Sequence, residues 1–146
     1  MPQILILLTF LFGHQAPDPV KWTFFSKKIN ADSVEIHLRA KIAKGWHMYS
    51  QYNPGGPGPS SVRFEKNKML KVVGDVKEIG KLERKYEKLF DANVTEFSSS
   101  VEFVQILKRK NEGPATIVGV VKYIVCNGKV CLPPKEVTFS VNVDHD

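Results

Sequence analysis

From residue 20 onward, apolar positions alternate with polar ones, a period of two that marks strands with one buried face. Val34, Ile36, Leu38, Ala40 and Ile42 alternate with Glu35, His37, Arg39 and Lys41. Val137, Phe139, Val141 and Val143 alternate with Thr138, Ser140 and Asn142, and Trp22 and Phe24 begin a similar run. Val101 to Leu107 and Ile117 to Val125 are apolar on both faces, which predicts central strands of a packed sheet. The run Asn-Pro-Gly-Gly-Pro-Gly-Pro-Ser from Asn53 to Ser60 is a loop. Short strands at this spacing predict an all-β chain, an immunoglobulin-like antiparallel β-sandwich.

One segment departs from that pattern. Ile79, Leu82, Tyr86 and Leu89 recur at helical spacing among Lys81, Glu83, Arg84, Lys85, Glu87 and Lys88. Read alone, they predict a short amphipathic helix. The competing reading is a pair of charged edge strands with a loop, because Gly80 weakens a helix start.

The first residues stand apart from the fold. Ile4 to Phe12 is an unbroken apolar run, far short of the roughly 20 residues that span a bilayer. It fits the hydrophobic core of a secretory signal over residues 1–16, cleaved after Ala16, although no Lys or Arg precedes it. A buried N-terminal strand is the alternative. Residues 17–146 are then expected to form a single exported, soluble domain, with no membrane span. The formal charge of +6 is spread along the chain without a block of like charges. That distribution reads as a solvated surface rather than a nucleic-acid footprint.

The chemistry lies in two cysteines, Cys126 and Cys131, separated by Asn-Gly-Lys-Val. In an exported protein, two thiols this close form a disulfide where geometry allows. A two-residue Asn127-Gly128 hairpin would set them diagonally, roughly 7–8 Å apart, too far for a relaxed bridge. A four-residue loop, Asn127 to Val130, sets them face to face. Three readings of the pair stand at this point. A structural staple of this size contributes only about 2 kcal/mol by loop closure. A redox-active dithiol in a tight, exposed loop is the second. The third is a metal pair, which needs further ligands, with His37, His47 and Met48 the nearest candidates.

The whole string Val121-Lys-Tyr-Ile-Val-Cys-Asn-Gly-Lys-Val-Cys-Leu-Pro-Pro134 resembles the active-site segment of the N-terminal periplasmic domain of the thiol:disulfide interchange protein DsbD. Gly45-Trp-His-Met-Tyr-Ser-Gln51 is similar to that family's Gly-x-x-Leu-Tyr strand. Pro54 to Phe64 resembles its Gly/Pro-rich loop, and Leu89-Phe90-Asp91 falls where the family carries a cap loop tipped by Phe. The resemblance spans roughly Val20 to Val143.

It implies an immunoglobulin-like domain with one redox cysteine pair and no cofactor or metal, working in the periplasm by thiol–disulfide exchange. The expected partners are a thioredoxin-like electron donor domain and client periplasmic disulfide oxidoreductases, with the protein itself a monomer. Carried over by position, Cys126 and Cys131 are the dithiol, Cys131 forming the mixed disulfide and Cys126 resolving it. Phe90 is the cap, Tyr49 and His47 line the site, and Asp91 in the cap restrains thiolate formation. Lys122 and Lys129 are candidates for the opposite effect. The sequence departs from the family in three respects. Its cysteines are separated by four residues where some relatives have five. Neither the membrane domain nor the thioredoxin-like domain falls within these residues, which leaves the source of electrons open. The helical periodicity of Ile79 to Leu89 conflicts with the extended approach to the cap that the resemblance favours. The alternative function is an exported immunoglobulin-like binding module whose disulfide only holds a loop. A metal-handling domain using the thiols with His47 and Met48 is the third.

Overall fold

In the computed structural model, residues 18–143 are described; the leader expected over residues 1–16 lies outside them. Eleven strands follow in order: β1 Val20–Lys28, β2 Ser33–Ile42, β3 His47–Tyr49, β4 Ser61–Phe64, β5 Leu70–Ile79 and β6 Leu82–Glu87. Then come β7 Ala92–Ser98, β8 Ser100–Arg109, β9 Ala115–Tyr123, β10 Val125–Cys126 and β11 Lys135–Val143. Among the described residues there is no helix.

The strands form three antiparallel sheets, ordered β1-β2-β8-β5, β10-β3-β7-β6 and β11-β9-β4. β9 ends at Tyr123 and β10 starts at Val125, so one run of chain joins the third sheet to the second. The architecture is the expected immunoglobulin-like β-sandwich. The two stretches that are apolar on both faces take central places, β8 between β2 and β5, and β9 between β11 and β4. β8 buries Phe103, Val104 and Gln105 in succession, so both of its faces are covered and its sequence loses alternation. In β9 burial still alternates, with Ile117, Val121 and Tyr123 buried on one face and Val118 and Val120 half-buried on the other.

One hydrophobic core draws on all three sheets. It includes Ile36 and Leu38 of β2, Met48 of β3, Phe97 of β7, Phe103 and Leu107 of β8, and Ile117 and Phe139 from the third sheet. Trp22, half-buried, stacks against Phe24 and Phe103 at centroid distances of 5.8 and 6.2 Å. In β5 the pairing with β8 shifts register between Val73 and Lys77. Buried Gln105 supports that bulge by donating to the carbonyls of Val73 at 2.8 Å and Gly74 at 3.2 Å.

Two expectations are corrected. Helical periodicity fails over Ile79 to Leu89: Ile79 closes β5, Leu82 and Tyr86 lie on β6, and Leu89 is in the following turn. All four side chains are exposed. Their spacing carries no packing information: on the other face of β6 Glu87 is buried, and Lys85, itself exposed, reaches the buried Glu96 of β7. The extended alternative holds. His37, placed by alternation on a polar strand face, is buried. Its ring stacks on Phe25 at 4.7 Å, and its two nitrogens meet the carboxylates of Glu35 and Glu102.

Candidate active site

The disulfide sits at the end of the sheet β10-β3-β7-β6. Cys126 and Cys131 are bonded, with Cα atoms 4.0 Å apart, and they face each other as an isolated antiparallel bridge. The four-residue loop is therefore the one the chain adopts. Asn127 builds it: its backbone N–H donates to Val130 O at 3.0 Å, and its Oδ1 accepts from the N–H groups of Lys129 and Val130 at 3.0 and 2.9 Å. Gly128 takes φ +85°, a left-handed conformation that costs glycine little. The Leu132 N–H returns to Val125 O at 3.0 Å, closing the loop onto β10.

The two sulfurs differ in environment. Cys126 is buried at 1% exposure, whereas Cys131 is half-buried and flanked by exposed Val130 and Leu132. Cys126 belongs to a small second cluster with Tyr49 and Val94, against which Phe90, Ile124 and Cys131 pack. Phe90 reaches it from the turn that joins β6 to β7, where the Phe90 N–H donates to Glu87 O at 3.2 Å. Asp91 adopts φ +50° at the end of that turn and accepts the Tyr86 hydroxyl. Its carboxylate thus ties the turn to β6.

The Gly/Pro-rich loop is the seat of this turn. Asn53 fixes it, donating from Nδ2 to Gly55 O at 2.5 Å and accepting the Thr95 N–H of β7 at 2.9 Å. Ser60 Oγ donates to Tyr49 O at 2.6 Å. At Gly56 an added Cβ would lie 3.1 Å from the Phe90 ring and 3.1 Å from Val94. A side chain there would press on both, at a φ of +65° that already favours glycine.

Register places the rest of the site. Cys126 pairs with His47, His47 with Ser98, and Tyr49 with Glu96. Residues two apart on a strand share a face, so His47, Tyr49, Val94 and Glu96 look the same way as Cys126. His47 and Tyr49 rings meet edge to face at 6.2 Å. Glu96, 1% exposed, lies between an ammonium and an imidazole: Lys85 Nζ donates to its Oε1 at 2.7 Å, and His47 Nε2 is 3.4 Å from its Oε2. Neither His47 Nε2 nor Glu96 Oε2 has an aligned hydrogen-bond partner, and the Tyr49 hydroxyl is likewise buried and unpaired.

These positions shift the local proton equilibria. Burial lowers the His47 pKa, and the pull of Glu96 upward only partly offsets it, leaving it below 6.5. Burial, reinforced by the Glu96 and Glu87 charges, pushes the Tyr49 hydroxyl well above its usual range. At Lys85 burial works against the ammonium, but hydrogen bonding to Glu96 and the Glu96 and Glu87 charges outweigh it and raise the pKa.

Of the residues singled out in the sequence, Cys126, Cys131, Phe90, Asp91, Tyr49 and His47 fall at this end of the sandwich. Lys122 and Lys129 are both exposed. The metal reading loses its geometry: Met48 points into the main core, on the opposite face of β3 from His47. His37 has its own carboxylates on another sheet. Among the described residues, no group of three or more His, Cys, Asp or Glu is arranged to hold a metal. Sequence reasoning missed Glu96 and Lys85. A signal exists in β7, where Glu96 is in phase with apolar Val94, a strand position that turns inward.

Residues 15–143 match the family model described as the N-terminal part of thiol:disulfide interchange protein DsbD. No curated protein sequence matches the chain. Among solved structures, the reduced N-terminal domain of DsbD from Neisseria meningitidis superposes with a TM-score of 0.54 at 19% identity, covering 84% of this chain and 86% of that one. The N-terminal periplasmic domain of ScsB from Proteus mirabilis gives a TM-score of 0.55 at 21% identity, over 86% of this chain. That match spans 45% of the ScsB chain. At these identities the likeness is one of fold.

Proposed function

The chain belongs to the family of the N-terminal domain of thiol:disulfide interchange protein DsbD, and on that premise we propose that it is a periplasmic thiol–disulfide interchange module. In this reading the leader is removed on export, leaving a monomer with no nucleic-acid partner and no direct membrane span. A thioredoxin-like domain reduces the Cys126–Cys131 disulfide, and the dithiol then reduces client periplasmic disulfide oxidoreductases. The carrying observation is the asymmetry of the pair: a half-exposed Cys131 bonded to a buried Cys126 beneath the Phe90 turn.

The exchange runs in two displacements. The Cys131 thiolate attacks one sulfur of the client disulfide, forming a mixed disulfide and releasing the client's other sulfur as a thiolate. Cys126, as thiolate, then attacks Cys131 Sγ, re-forms the internal disulfide and expels the second client thiolate. Two electrons pass from the cysteine pair to the client. Phe90 shields the disulfide between partners, Tyr49 and His47 line the site, and Asp91 holds the cap turn.

Equilibration with glutathione tests the reading. A working couple has a reduction potential above about −300 mV, and a structural disulfide lies below it. A value below that threshold would leave the chain an immunoglobulin-like binding module with a stapled loop.

A further inference from the structure

The resolving step asks a buried thiol to lose its proton. Cys126 is 1% exposed, and burial in apolar surroundings raises a thiol's pKa above its free value of about 8.5. Water cannot readily take that proton. His47 is the direct cross-strand partner of Cys126, and paired residues of this kind hold their Cβ atoms about 4.5–5.5 Å apart on one face. Nε2 of His47 lies 3.4 Å from Glu96 Oε2, and neither atom has an aligned hydrogen-bond partner. In the neutral ring a proton on Nε2 faces the Glu96 carboxylate, which leaves Nδ1 as the acceptor nitrogen.

We propose, resting on the exchange reading above, that His47 takes the proton from the Cys126 thiol during resolution and that Glu96 is the positioning residue that orients the imidazole. The proton leaves Cys126 Sγ for His47 as the sulfur's electron pair forms the bond to Cys131 Sγ. The bond from Cys131 to the client breaks, its electron pair departs on the client thiolate, and the imidazolium returns its proton to that thiolate or to solvent. The Glu96 carboxylate faces the transient imidazolium, so the arrangement is a base oriented by a third group.

The groups around His47 fit the task. Glu96 of β7 and Glu87 and Glu83 of β6 favour its protonation, Lys85 of β6 opposes it, and Tyr49 of β3 and Cys126 of β10 are its uncharged neighbours. Burial keeps the imidazole neutral, and therefore able to accept, at neutral pH. Lys85 in turn hydrogen-bonds Glu96, tying the buried chain of groups to the edge strand.

Stopped-flow reaction of the reduced protein with dithiobis-nitrobenzoate separates the two displacements. The first coloured thiolate reports attack by Cys131 and depends on reagent concentration; the second reports resolution by Cys126 and does not. In the native protein the second rate should level off once His47 is neutral, below the ordinary imidazole value of 6.5. In His47→Gln the second phase should slow by about 10²-fold at neutral pH, a typical contribution of a positioned base. Its rate should then climb with pH past the free-thiol value of about 8.5, while the first phase keeps its rate. Glu96→Gln, nearly isosteric, should move the midpoint of the second phase to lower pH, because Glu96 raises the His47 pKa; it decides the matter should His47→Gln fail to fold. A second phase unchanged in rate and pH profile in these variants overturns the proposal alone. A native protein that releases no second thiolate overturns the exchange reading, and this proposal with it.

Discussion

Phe90 meets Tyr49 edge to face, with ring centroids 6.4 Å apart and planes at 82°. This contact joins the turn after β6 to the floor of the site on β3. Edge-to-face pairs contribute about 0.5–1.5 kcal/mol beyond their buried area. The turn is therefore held on β3 by an interaction of modest size.

Replacing Phe90 by Ala should open the disulfide without unfolding the domain. Phe90 is half-buried against the small cluster and takes no part in the main core. Reduction by dithiothreitol should accelerate several-fold, and the unfolding free energy should fall by less than the roughly 3–5 kcal/mol of a core Phe→Ala change. Stopped-flow reduction and urea titration measure the two quantities. A loss in the core range with no gain in rate would make Phe90 a packing residue.

Gly56→Ala should act in the same direction from the other side. The new methyl group would press on the Phe90 ring from 3.1 Å, at a position whose φ of +65° already disfavours side chains. Faster reduction is expected with the sequence of the turn itself unchanged. An unaltered reduction rate would show that the loop does not seat the cap.

On the opposite sheet, Glu102 links acid sensitivity to the fold. Burial pushes its pKa up, but hydrogen bonds from His37 and from Arg39 Nε, the latter at 2.7 Å, outweigh burial and hold it below 4.5. A carboxylate depressed in the folded state contributes stability that is complete above its unfolded value and disappears as pH falls through the folded one. Glu102→Gln should cost about 1–3 kcal/mol at pH 7, the range for leaving buried polar partners poorly satisfied. The gap to the native protein should close below the ordinary carboxylate value of 4.5. Urea midpoints across the acid range check this, and a gap independent of pH would contradict it.

The strands on either side of the core were legible because burial on one face writes itself as alternation, as in β2 and β11. β6 was not, because its second face carries charged residues, Lys85 reaching the buried Glu96 and Glu87 standing beside Lys85, rather than a hydrophobic stripe. Its exposed Leu82 and Tyr86 then imitate a helical stripe. The cysteine loop was readable from geometry alone, since only a four-residue loop lets Cys126 face Cys131. Glu96 was hidden for a different reason: its partners Lys85 and His47 come from two other strands. Only the register of β3 and β6 against β7 brings them together.

The cysteines separate interchange from a stapled loop. Cys131 is the more exposed residue of the pair and Cys126 the buried one. Cys126→Ser should therefore leave a lone accessible nucleophile that cannot be resolved, and it should accumulate mixed disulfides with partners in a periplasmic extract. These appear as bands on a non-reducing gel that vanish on reduction. Cys131→Ser leaves only the buried thiol beneath the Phe90 turn and should trap far fewer. Loss of the short loop closure should cost about 2 kcal/mol in either variant, so both should remain folded. Equal trapping by the two would remove the assignment of roles. If neither traps a partner and both unfold readily, the bridge is a staple, and the shared fold then carries no redox function in this chain.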